Sequence, residues 1–188
     1  MKVLLLNGSP RKNGCTYTAL NVVADALKAE GIDAEVFQAG DPDMENVKAA
    51  AVKLKESDAL VVGSPVYWAS PTGQIIEFMD RLASVAGKDM FYKPAAAVAS
   101  ARRAGTTATL DVLTKYFSYH QMPVVSSCYW NMVHGNTPEE VMKDEEGIQI
   151  MRILGKNMAW LLKCIEAGKK AGVVVPEAED KIKTNFIR

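Results

Sequence analysis

Five short apolar runs, Lys2–Leu6, Ala34–Phe37, Ala59–Gly63, Ala95–Ser100 and Pro123–Ser126, punctuate the chain. Between them, apolar residues recur at helical spacing. Leu20, Val23, Ala24 and Leu27 form one stripe, and Met44, Val47, Ala51 and Leu54 a second. Ile75, Ile76, Met79 and Leu82 form a third, and Leu110, Leu113 and Phe117 a fourth. A long final helix is predicted over Glu145–Ala167, carrying Met151, Leu154, Met158, Leu161, Leu162 and Ile165. Strands that read as continuous apolar runs are buried on both faces, which requires helices on each side of a parallel sheet. The prediction is an α/β fold: a three-layer, doubly wound, five-stranded parallel sheet with right-handed crossovers. The 188 residues, 48% of them hydrophobic, suit one domain over 1–188. The segment from Gly172 to Arg188 lacks a helical stripe and is predicted to be an extended arm, docked by Phe186 and Ile187.

Composition removes several functions. Lys+Arg 22 and Asp+Glu 22 cancel, so no net field draws the chain to nucleic acid or an anionic membrane. Cys15, Cys128 and Cys164 are far apart and form no CxxC pair, so no disulfide framework, zinc site or other metal site is expected. The opening apolar run is too short for a signal peptide, and no stretch approaches the roughly 20 residues that span a bilayer. A cytoplasmic location is the expectation.

In a doubly wound sheet the ligand lies beyond the C-terminal strand ends. Four loops are therefore candidates: Asn7–Thr16, Ser64–Thr72, Ser100–Thr107 and Ser127–Gly135. The first reads GSPRKNGCT. Its glycines have the wrong spacing for a Walker A loop, and GxGxxG is absent. Ser9, Asn13 and Thr16 supply hydrogen-bond donors and Arg11 a charge, ahead of a helix start, which suits one terminal phosphate. The second loop, GSPVYWASPTG, puts Pro65, Tyr67 and Trp68 at a strand end. Flat side chains there favour a flat aromatic ligand, with a hydrophobic cap or a subunit interface as the alternative for Trp68. In the third, Arg102 and Arg103 either donate to carbonyl oxygens of a heterocycle or stabilise a developing negative charge, or else one is solvated and the other pairs a carboxylate such as Asp111. In the fourth region, His120 ends a helix, where its ring could reach the ligand edge or be structural. Trp130 and Met132 close a pocket or pack against a partner. A thiol at Cys15 beside Arg11 and Lys12 invites a lowered pKa, but a bound phosphate dianion opposes it, so Cys15 reads as an uncharged lining residue.

LNGSPRKNGCT, SDALVVGSPVYWASPTGQIIEFMDRL, SARRAG, YWNMVHG and TNFIR together resemble the flavodoxin-like NAD(P)H-dependent FMN reductases. That group includes the iron–sulfur flavoproteins and, more distantly, the WrbA-type quinone reductases. The resemblance implies strand order 2-1-3-4-5, with FMN at the strand ends. It implies that Ser9, Arg11, Asn13, Cys15 and Thr16 cradle the FMN phosphate and that Pro65, Val66, Tyr67 and Trp68 flank the isoalloxazine. Ser100, Arg102, Arg103 and Gly105 would line its pyrimidine side, with the two arginines tuning the ring. His120 falls where WrbA-type proteins place a flavin-contacting histidine, although Gln121 replaces their glycine. Iron–sulfur flavoproteins carry a cysteine cluster where this chain reads QAGDPDMENVKAAAVKLKESD, so an iron–sulfur cluster is not expected. The implied activity is an FMN-dependent oxidoreductase passing electrons from NAD(P)H to free flavin, a quinone or another small acceptor. The alternatives are a flavodoxin-type carrier and an FMN-binding regulatory module. Trp68, Tyr129 and Trp130, with Ile150, Ile153 and Trp160 on a second side of the last helix, predict a homodimer or homotetramer.

Overall fold

Successive side chains of the first strand face opposite ways, and both ways lead into core. Val3 and Leu5 pack with one set of helices, and Leu4 and Leu6 with another. The computed structural model describes residues 1–177, 179–180, 182–184 and 186. Its strands are β1 (Lys2–Asn7), β2 (Asp33–Gln38), β3 (Ala59–Tyr67), β4 (Ser70–Pro71), β5 (Ala95–Ala101) and β6 (Met132–His134). Its helices are α1 (Cys15–Ala29), α2 (Met44–Lys55), α3 (Gly73–Ala86), α4 (Thr106–Tyr119), α5 (Pro138–Val141) and α6 (Glu145–Lys170). Five strands run parallel in the order β2-β1-β3-β5-β6, and the short β4 folds back antiparallel on β3. Without that hairpin the order is the expected 2-1-3-4-5. Helices α1 and α6 cover one face, and α2, α3 and α4 the other.

Sequence marks most helix ends. Asp43 accepts hydrogen bonds from the Glu45 and Asn46 N–H groups at the start of α2. Thr72 accepts from Ile75 N–H at α3, and Asp144 from Gly147 N–H at α6. Helix α6 closes at Gly172, whose φ of 86° lets Gly172 N–H reach Lys169 O while Val173 N–H reaches Gly168 O.

Three expectations are corrected. The run Pro123–Ser126 forms only one bridge to the sheet, between Val124 and Ala95. The chain then leaves the sheet, and the fifth parallel strand is Met132–His134, paired with Ala99–Ala101. In the gap, the Asn131 side-chain amide donates to Ala97 O at 3.1 Å, replacing a strand's backbone N–H. Secondly, Ile150 is buried in the chain's own core with α1 and is not open to a partner, whereas Trp160 is exposed. Thirdly, the described part of the C-terminal arm has no regular structure, and Ile182 and Phe186 are almost fully exposed rather than docked on this chain. Ile187 lies outside the described residues. No helix among the described residues is long and apolar enough to cross a membrane.

Candidate functional site

A cleft of about 210 Å³ opens where the parallel strands end. The loop after β1 forms one wall. It is folded by its own polar groups: Ser9 N–H donates to Asn7 Oδ1 at 3.2 Å, and Arg11 N–H donates to Ser9 Oγ at 3.1 Å. The Asn7 side-chain amide reaches Lys12 O at 3.2 Å, and Gly8 N–H reaches Gly63 O at 2.8 Å. Thr72 ties this loop to α3 by donating from Oγ1 to Gly8 O at 3.1 Å. The Ser9 hydroxyl is nearly buried, and no acceptor for its own proton is found among the described residues.

Helix α1 begins at this loop without a side-chain cap, because its cap residue is Gly14. The first-turn N–H groups of a helix have no intrahelical partner, and with the helix dipole they favour an anion. Thr72, Thr137, Asp43 and Asp144 cap the other helix starts, but α4, preceded by Gly105, is also uncapped. Thus, among the described residues, the two α-helices that lack side-chain caps start beside the loops predicted to hold the ligand. Thr16 and Ser100, both buried, share a hydrogen bond of 2.7 Å between their hydroxyls. One proton serves that bond and the other stays free, so the pair retains a donor. Burial pushes the Cys15 thiol up, against the opposing pull of its backbone hydrogen bond and Arg11. Cys15 is therefore a neutral thiol near pH 7, its Sγ 3.6 Å from Gly135 O.

The opposite wall comes from β3 and its hairpin. Pro65, Val66 and Tyr67 line the cleft. Trp68 and Ala69 form the two-residue turn between Tyr67 and Ser70, with φ of 53° and 56°. Two consecutive non-glycine residues in the left-handed region cost of order 1–2 kcal/mol each, so the surroundings must hold the turn. Gly105 (φ 100°) lies beneath it, and a Cβ there would sit 2.6 Å from Ala69 Cα and 2.7 Å from Val66 Cγ1.

The cleft therefore brings together Ser9, Arg11, Cys15 and Thr16 from the first loop, Pro65–Tyr67 from the second, and Ser100 and Arg102 from the third. Ala101, Gly135 and Asn136 also line it. Arg102 and Arg103 are both exposed, and neither has an ion pair or a hydrogen bond among the described residues, so neither pairs Asp111. Asn13 and Arg103 are exposed and outside the lining, and so is Trp68, which is 98% exposed. Tyr129 and Trp130 stack edge-on at 4.6 Å beyond the sheet margin, not in the cleft.

His120 is corrected outright. A crossover helix runs back antiparallel to its strand, so the end of α4 lies where strands begin, across the sheet from the cleft. There His120 is buried, its Nδ1 2.7 Å from Tyr116 O and its ring edge-on to Phe91 and Tyr119. It borders a separate hollow of about 1110 Å³ with Gly87, Tyr92 and Gln121. That hollow is not at the strand ends where Ser9, Arg11, Thr16 and Ser100 gather, so its size does not make it the predicted phosphate site. The sequence reading also missed Asn7 and Gln38, which shape the first loop. Their one signal is a polar residue closing each apolar strand.

The cleft's donor set fits FMN: uncapped N–H groups and hydroxyls at one end suit a phosphate, and the Pro65–Tyr67 wall suits a flat ring. The family model for NADPH-dependent FMN reductases matches residues 1–137. An iron–sulfur flavoprotein of Methanocaldococcus jannaschii is 29% identical over 192 residues, covering 88% of this chain and all of that protein. Among solved structures, an archaeal flavodoxin superposes with a TM-score of 0.67 at 19% identity, covering 87% of this chain and 99% of that one. The FerB NAD(P)H:(acceptor) oxidoreductase of Paracoccus denitrificans superposes with a TM-score of 0.69 at 16% identity, covering 87% and 97%. These two likenesses establish the flavodoxin-like fold. The matched family model, which spans most of the chain, makes it a member of the NADPH-dependent FMN reductase family, an oxidoreductase family built around FMN and a reduced nicotinamide.

Proposed function

We propose that the chain uses the cleft at the strand ends to hold FMN and passes electrons from NAD(P)H to a small acceptor such as free flavin or a quinone. The observation that carries this reading is the uncapped start of α1 beside the Ser9 hydroxyl, inside a cleft whose other wall is Pro65–Tyr67. When bound, FMN supplies the redox chemistry, and the chain binds and orients it.

The phosphate takes the first-turn N–H groups of α1 and the Ser9 hydroxyl, with the Arg11 guanidinium balancing its charge. The neutral Cys15 thiol adds no repelling negative charge. Pro65, Val66 and Tyr67 back the ring, and Arg102 reaches its carbonyl edge, where a cation favours the electron-rich form. With one ring face against Pro65–Tyr67, the other is left for the co-substrates. Donor and acceptor use that face in turn, and no acid–base side chain is required. The exposed Trp68, Trp160 and C-terminal arm favour a homo-oligomer, tested by molar mass in solution.

The test is the double variant Ser9→Ala with Thr16→Ala. It removes two hydroxyls from the anion end, and loss of about 1–1.5 kcal/mol each lowers FMN affinity about 30- to 150-fold. Unchanged FMN affinity would place the phosphate elsewhere.

A further inference from the structure

Two side-chain amides and the backbone of Ser9 form a closed ring under the first loop. Ser9 N–H donates to Asn7 Oδ1 at 3.2 Å, Asn7 Nδ2 donates to Gln38 Oε1 at 2.7 Å, and Gln38 Nε2 donates to Ser9 O at 2.6 Å. The ring fixes its own orientation. Turning the Gln38 amide over would set Nε2 against Asn7 Nδ2 and Oε1 against Ser9 O, facing donor to donor and acceptor to acceptor. Asn7 is fully buried and Ser9 nearly so, while Gln38 reaches in from the end of the neighbouring strand β2. Both polar groups of the Ser9 backbone are held from one side, which fixes where its hydroxyl sits. The space is built for this arrangement: a Cβ on Gly40 would lie 2.1 Å from Ser9 O.

We propose that Gln38 is a positioning residue for the cofactor phosphate, holding the Ser9 loop in its binding shape before the ligand arrives. This rests on the assignment of the cleft to FMN. A loop already ordered does not lose conformational freedom on binding, so the gain appears as affinity. It appears only for ligands that carry the phosphate.

The experiment compares FMN and riboflavin binding by flavin fluorescence in the full chain and in Gln38→Met and Gln38→Glu. Methionine keeps the length and the apolar stem but neither hydrogen bond. Glutamate sets an acceptor against Ser9 O and adds a negative charge below the phosphate. Gln38 is half-buried at a strand end, and a melting curve on each variant verifies folding. FMN affinity is expected to fall about tenfold in Gln38→Met, equal to about 1.4 kcal/mol, and further in Gln38→Glu. Riboflavin affinity should stay within about twofold of the wild type, since its end lacks the phosphate. Unchanged FMN affinity in both variants overturns the proposal, as does an equal fall for FMN and riboflavin, which marks a general structural role. If the wild-type chain binds neither ligand, the cleft assignment itself fails; if it binds FMN and the variants match it, only the role of Gln38 fails.

Discussion

Thr72 links fold stability to the shape of the candidate site, and its hydroxyl can be removed alone. The side chain is fully buried. Its Oγ1 donates to Gly8 O at 3.1 Å and accepts from Ile75 N–H at 3.2 Å, so one atom caps α3 and anchors the start of the first loop. Thr72→Ala loses the cap, about 1 kcal/mol. It leaves the buried Gly8 carbonyl without this donor, about 1.5 kcal/mol, and removes a buried methyl group, about 0.8 kcal/mol. The sum is about 3 kcal/mol, which for a chain of this size lowers the melting temperature by about 6–12 °C. Thr72→Ser keeps both hydrogen bonds and loses only the methyl, so about 2–3 °C is expected. Circular dichroism melts of the two variants against wild type make the comparison. A serine variant that melts as low as the alanine variant would refute the hydroxyl argument and leave packing as the cause.

Other outcomes follow from individual contacts. Gly105→Ala forces a side chain into the left-handed region and against Ala69 and Val66, so a loss of at least about 2 kcal/mol is expected in urea unfolding, together with weaker FMN binding. An unchanged unfolding midpoint would show that the hairpin moves freely. Because burial raises the Cys15 thiol while Cys128 and Cys164 are exposed, iodoacetamide at pH 7.5 should label Cys128 and Cys164 first. Mass spectrometry that finds Cys15 labelled first would contradict its neutral state. The carboxyl of Glu35 is held below its usual value, chiefly by the hydrogen bond from Lys53, with Lys2 assisting. Its folded pKa is depressed, so the stabilisation is present above the unfolded value near pH ~4 and is lost as pH falls through the folded one. Solvent screens this pair, so Glu35→Gln should cost under about 1 kcal/mol at pH 7, and the gap to wild type should close in acid. A gap that persists at pH 2 would point to packing instead.

The apolar runs were legible because strands buried on both faces need no alternation, and four of the five parallel strands fall where the sequence places them. The fifth does not, because the Asn131 side chain takes a place in the sheet that a pattern of apolar residues assigns to backbone. Local loop composition points to Ser9, Arg11, Thr16 and Pro65–Tyr67, which the structure gathers along one cleft because each lies within a few residues of a strand end. His120 was misplaced because proximity in sequence to the fifth strand says nothing about which sheet edge that residue meets; the antiparallel return of α4 decides it. Asn7 and Gln38 were missed for the opposite reason. They are distant in sequence, and only the pairing of Asn7 with Gln38 across β1 and β2 brings their amides together.

The central claim is that this cleft holds FMN and that a reduced nicotinamide reduces it there. Reconstitution with FMN, removal of free flavin and anaerobic titration with NADPH, followed by visible absorbance, tests it directly. A flavin spectrum that is retained and bleaches with about one equivalent of NADPH or NADH is expected. A chain that retains no flavin, or one whose flavin stays oxidised with both nicotinamides, would contradict it.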